Sequence, residues 1–133
     1  MQISRVPLPW MTVYADDVDA NACFIAATPW MEAAGVEWAR TTFELRCPTG
    51  NIQVSPAWQV ANTEDSPGSF KQLLSYKTLE DVYYPDDWVD VKSDGTAPTK
   101  SNLLIRFGWK VSLTSGSSLA CANVAGVVEY RLC

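Results

Sequence analysis

The sequence contains no histidine. That removes the side chain that titrates nearest neutral pH, and with it the usual general base and the usual metal ligand. Four cysteines are present, Cys23, Cys47, Cys121 and Cys133, but none forms a C-x-x-C pair, so no zinc-site spacing exists. No apolar run approaches the roughly 20 residues of a membrane-crossing helix. The N-terminus lacks the apolar core and small-residue cleavage site of a secretory signal. On that ground we expect reduced cysteines that pack as small apolar groups; an even count would also permit two disulfides. No P-loop, dinucleotide fingerprint or G-x-S-x-G occurs, and no cysteine has a histidine to activate it. We therefore expect no enzymatic activity and no cofactor.

Ten basic residues stand against 15 acidic ones, a net charge of −5, which argues against nucleic acid as a partner. With 133 residues, 47% of them hydrophobic, the chain is long enough for one core without staples. We expect a single domain over residues 1–133, in which residues 1–15 can extend as an N-terminal arm.

The clearest pattern runs over Leu103–Thr114. Leu103, Ile105, Phe107, Trp109, Val111 and Leu113 alternate with Arg106, Gly108, Lys110 and Ser112. Period two over this length predicts a strand with one buried face. After Ser115-Gly116-Ser117, Val124, Val128, Tyr130 and Leu132 share one phase, and Asn123, Glu129 and Arg131 the other. The two segments read as an antiparallel hairpin. Trp38–Cys47 places Ala39, Thr41, Phe43, Leu45 and Cys47 inward, with Arg40, Thr42, Glu44 and Arg46 outward. Past the turn cluster Pro48-Thr49-Gly50-Asn51, Ile52, Val54, Trp58 and Val60 share a side, which reads as a second hairpin. Pro56 cannot donate to a ladder and predicts an edge or a bulge. Shorter strands are expected at Met11–Tyr14, Phe24–Ala27, Val82–Tyr84 and Trp88–Val91. Phe70–Tyr76 fits either a strand or a helical turn, and Pro29–Ala34 fits a brief helical turn. The fold expected is all-β: an antiparallel, jelly-roll-like β-sandwich of seven to nine strands.

Charge is unevenly spread. Residues 64–94 hold eight carboxylates against three lysines, whereas residues 95–133 hold four basic residues against Glu129 alone. Such asymmetry suits contacts between identical subunits, although loops are commonly hydrophilic without any partner. Asp17-Val18-Asp19-Ala20-Asn21 begins like a calcium loop. Ala22 stands where the turn glycine belongs and Thr28 where the bidentate glutamate belongs, so we expect no metal site there. Irregular loop oxygens near Asp86, Asp87 or Asp90 are the other calcium candidates.

The candidate contact residues are Tyr83, Tyr84, Asp86, Asp87 and Trp88, a loop mixing aromatic anchors with charge, and Arg5 and Trp10 near the N-terminus. Exposed rings beside carboxylates also suit sugar stacking, so a carbohydrate-binding sandwich is the alternative. A loop that folds its own aromatics over the end of the sandwich is the plainest reading of all.

The stretches Trp38–Arg46, Gln59–Thr63, Ile105–Val111 and Gly126–Arg131 together resemble, in strand rhythm, the small jelly-roll structural proteins of tailed bacteriophage virions. That resemblance implies a non-enzymatic decoration, connector or tail accessory protein, made in the host cytoplasm and carried in the virion. Its implied partners are other virion proteins, such as a major capsid protein, and copies of itself. No nucleic acid, membrane or cofactor enters that reading.

Overall fold

The structure, a computed structural model, describes residues 2–16, 23–32, 36–49, 52–62, 67–72, 81–83, 88–91, 104–113 and 119–132. These residues form ten strand segments: β1 (Gln2–Asp16), β2 (Cys23–Ala26), β3 (Met31–Glu32), β4 (Val36–Thr49), β5 (Ile52–Ala61), β6 (Pro67–Gln72), β7 (Asp81–Tyr83), β8 (Val89–Asp90), β9 (Leu104–Leu113) and β10 (Leu119–Leu132). Three of them, β3, β7 and β8, are only two or three residues long.

Two antiparallel sheets result. The first has the order β1-β10-β4-β7, with β8 also on β4. The second has the order β2-β9-β5-β6, with β3 also on β9. The chain crosses repeatedly between sheets while its first and last strands pair, which is the wrapping of a jelly roll. The all-β sandwich expected from the alternation is the fold observed.

The strand phases hold. Phe43, Leu45, Val54, Trp58, Ile105, Phe107, Trp109 and Val111 are all buried. Phe43 of the first sheet meets Trp109 of the second with ring centroids 5.6 Å apart, and Phe107 stacks on Tyr130 at 5.8 Å. These contacts fill the space between the sheets, where aromatic burial contributes most.

Both hairpins need correction. β9 pairs with β2, β3 and β5, whereas β10 pairs with β1 and β4. Likewise β4 and β5 lie in opposite sheets. Alternation fixes which face a strand buries but not its partner, and a short turn can carry the chain across the core as readily as back along one sheet. Pro56 also does not mark an edge strand: β5 lies between β9 and β6, with Pro56 opposite Trp109. The described pairing of β6 begins at Ala57, so no β6 partner is seen at the proline.

Residues 2–16 are no free arm. β1 pairs with β10 from Gln2↔Leu132 to Asp16↔Leu119. One bulge interrupts it: Leu8 faces Gly126 and Met11 faces Val124, so Pro9 and Trp10 together oppose Ala125. The extra residue shifts the phase, leaving Leu8 inward on one side and Val13 and Ala15 inward on the other. Of the ambiguous segments, Pro67–Gln72 is a strand and Met31–Glu32 a two-residue one; residues 73–76 and 33–34 lie outside the described residues.

Candidate functional site: the outer face of the first sheet

With the inward rows of β1, β10 and β4 assigned to the core, the alternate residues form the outer face. Among the described residues, the large hydrophobic side chains that stay exposed, Ile3 (55%), Trp10 (52%) and Tyr14 (59%), all stand on β1. Their positions follow from the bulge: Ile3 lies in the outward phase before it, and Tyr14 in the outward phase after it.

One end of this face is basic. Arg5, Glu129 and Arg40 stand directly opposite one another across β1, β10 and β4. Arg5 Nη2 donates to one Glu129 carboxylate oxygen at 3.1 Å, and Arg40 Nε to the other at 3.2 Å. The hydrogen bond from Arg5 holds the Glu129 carboxyl below the usual carboxylate range, and the charge of Arg40 acts in the same direction. Trp88, just before β8, lies against this row. Its ring centre is 4.4 Å from the Arg40 guanidinium and 4.3 Å from that of Arg131. Both distances fit cation–π contact.

The other end is mixed. Trp10 borders a groove of about 560 Å³ lined by Met11, Thr12, Glu44, Arg46 and Asn123. Thr12 Oγ1 and Asn123 Oδ1 are 2.8 Å apart, Arg46 Nε donates to Glu44, and the Arg46 guanidinium approaches the Trp10 ring at 5.4 Å. A second hollow of about 290 Å³ continues from Trp10 over Thr42, Ala125, Gly126 and Val127. Small side chains thus form a trough between Trp10 and the arginine-rich end, roughly 20 Å along β10 at ~3.3 Å per residue.

Of the residues singled out from sequence, Arg5, Trp10 and Trp88 come together on this one face, although they arise from two separate regions of the chain. Tyr83 lies in β7 opposite Phe43. Tyr84, Asp86 and Asp87 lie outside the described residues, as does the segment Asp17–Asn21. Sequence reasoning missed Arg40, Arg131, Glu129 and Tyr14 as members. The outward phase of Arg40, Glu129 and Arg131 was visible, but nothing in it showed that β4 and β10 are neighbours. No group of three metal-ligating side chains occurs among the described residues.

The second sheet carries a smaller cluster. Arg106 donates from Nε and Nη2 to Gln59 Oε1 at 2.9 and 2.7 Å and lies 4.2 Å from the Trp30 ring centre. Burial lowers the Arg106 pKa from its ordinary value.

By sequence, the chain matches no protein-family profile and no curated protein. By structure, it is similar to the chain in the crystal structure of the infectious bursal disease virus VP2 subviral particle, with a TM-score of 0.54 and 9% identity. The match covers 99% of this chain and 37% of that one. The infectious bursal disease virus Gt strain structure matches equally, with a TM-score of 0.54 and 9% identity over 99% of this chain and 38% of that one. The chain therefore spans little more than a third of the chains it resembles, and the likeness is one of fold.

Proposed function

We propose that this chain is a non-enzymatic structural subunit of a virus particle, working through protein–protein contacts made by the outer face of the β1-β10-β4 sheet. The observation that carries the reading is that Ile3, Trp10 and Tyr14 all stand exposed on one face of one strand. A patch of large apolar side chains rimmed by charge is the usual make-up of an interface, with aromatic and arginine anchors contributing most of the binding energy. The jelly roll shared with chains that build viral particles supports the same reading. Within it, the finer role is that of a bacteriophage decoration, connector or tail accessory protein, located in the virion and contacting other virion proteins and copies of itself. Tyr84, Asp86 and Asp87, next to Trp88 in sequence, are proposed as further contacts, whereas Tyr83 stands in register with the inward-facing Phe43.

The carbohydrate-binding alternative draws less support, because the Trp88 ring is already occupied by two guanidinium groups. A sugar stacking there would have to displace a cation. The test is co-purification: the chain should remain on particles assembled with its virion partners, and Trp10→Ser with Tyr14→Ser should release it without unfolding it. Retention of the double variant on particles would remove this face from the account.

A further inference from the structure

Two transverse rows of the outer face build the groove beside Trp10. In one, Thr12, Asn123 and Arg46 stand directly opposite one another across β1, β10 and β4. In the next, Ala125 of β10 lies between its β4 partner Glu44 and the bulge residue Trp10 of β1. Ala125 is small, and Trp10 and Glu44 stand two strand spacings apart, roughly 10 Å between backbones. The result is a slot with an indole on one wall, a carboxylate on the other and polar side chains at its end. Its volume of about 560 Å³ lies in the range of small-molecule sites, and a further hollow of about 290 Å³ continues past Trp10 and Glu44 over Gly126 and Val127.

The lining sets donors and acceptors side by side. Thr12 Oγ1 donates to Asn123 Oδ1, and among the described residues the Asn123 amide N–H groups have no acceptor. Arg46 Nε donates to Glu44 Oε1, which leaves Glu44 Oε2 as an acceptor and the terminal Arg46 nitrogens as donors. A hydroxyl both donates and accepts, so a ligand with neighbouring hydroxyls matches this set. The charges of Arg46 and Glu44 already balance each other, and an anionic ligand would meet the Glu44 carboxylate. A wholly apolar ligand would strand the polar side chains. Trp10 supplies the apolar surface: a single guanidinium approaches its ring, at 5.4 Å, whereas two lie against Trp88 at 4.4 and 4.3 Å. A sugar ring has the matching shape, an apolar C–H face rimmed by hydroxyls.

We propose that this slot binds a neutral oligosaccharide. One sugar ring stacks on Trp10 with its hydroxyls bonded to Asn123, Glu44 and Arg46, and the next ring lies over Gly126. The two hollows that meet at Trp10 favour a chain of sugars over a single one. This goes beyond the assembly reading, and the two uses exclude each other at Trp10. The sugar binds the dispersed chain, and a protein neighbour on the same face displaces it.

The experiment is isothermal titration calorimetry of the full, dispersed chain with maltohexaose, cellohexaose, mannohexaose and chitohexaose, and with hexagalacturonate as the charged counterpart. We expect saturable binding of at least one neutral hexamer with a Kd of about 0.1–1 mM. Trp10→Ala should weaken that binding about tenfold or more, the scale of one lost stacking platform, and Asn123→Ala about fivefold, the scale of a lost hydrogen bond. Circular dichroism melts check that each variant folds, and Asn123→Ala keeps the test decisive if Trp10→Ala does not. No saturable binding of any neutral hexamer at about 10 mM would overturn the site, as would undiminished binding in both variants. Tighter binding of hexagalacturonate than of every neutral hexamer would overturn the neutral ligand class.

Discussion

Gly126 of β10 lies directly opposite Phe43 of β4, and a methyl group added at Gly126 would stand 3.0 Å from Phe43 Cβ. The same methyl would come within 2.6 Å of the Thr42 carbonyl oxygen, which is backbone and cannot turn away. Gly126→Ala should therefore force β10 and β4 apart beneath the trough of the outer face. The expected loss is about 1–3 kcal/mol, the range for overpacked interiors, read from urea unfolding. A neutral result would mean that the two strands are not this close.

The bulge in β1 gives a second expectation. Removing Pro9 would leave Trp10 alone opposite Ala125 and keep both flanking phases, so the loss should stay within about 1 kcal/mol. Removing Thr12 instead would turn Val13 and Ala15 out of the core, because a one-residue slip exchanges the faces of a strand. That deletion should abolish cooperative unfolding. Equal losses for the two deletions would refute the register.

Thr41 offers a stabilising change. Its hydroxyl is fully buried in the inward row of β4 and has no hydrogen-bond partner. Thr41→Val removes an unsatisfied polar atom at nearly constant volume and should add about 1 kcal/mol. A loss on this substitution in thermal melts would show that the hydroxyl is satisfied in solution.

Acid should weaken the basic end of the face. The Glu129 carboxyl is held below its ordinary value chiefly by the Arg5 hydrogen bond, so it binds protons less readily folded than unfolded. Its contribution is present in full above the unfolded carboxylate value of about 4.3 and is lost as pH falls through the lower folded value. Glu129→Gln should flatten stability against pH in that acid window and cost little at neutral pH, since exposed ion pairs contribute about 0.2–1 kcal/mol. An unchanged slope in acid melts of the glutamine variant would sink this account of the pair.

The sequence made the burial phase of β4 and β9 legible, because large apolar and polar side chains alternate along each, whereas β5 is buried on both faces, Ser55, Ala57 and Gln59 included. Partner choice was not legible. The turns after Cys47 and Leu113 suit a hairpin and a crossing between sheets equally well, and only the packed sandwich decides between them. β1 hid for a different reason: its bulge joins two stretches of opposite phase, so Ile3, Leu8, Val13 and Tyr14 fit no single alternation. The site was half legible. Arg5, Trp10 and Trp88 stood out as chemistry, but their common face depends on β1, β10, β4 and β8 being neighbours, which is long-range pairing.

The central claim is that assembly covers the outer face of the β1-β10-β4 sheet, and hydroxyl-radical footprinting of assembled against dispersed protein tests it most directly. Trp10 and Tyr14 are more than half exposed in the single chain, so both should oxidise readily when dispersed. On assembly, their oxidation should fall severalfold, in keeping with aromatic anchors at the dry centre of an interface. Trp30, between β2 and β3 beside the other sheet, should be unchanged. Undiminished oxidation of Trp10 and Tyr14 in the assembled particle would contradict the account.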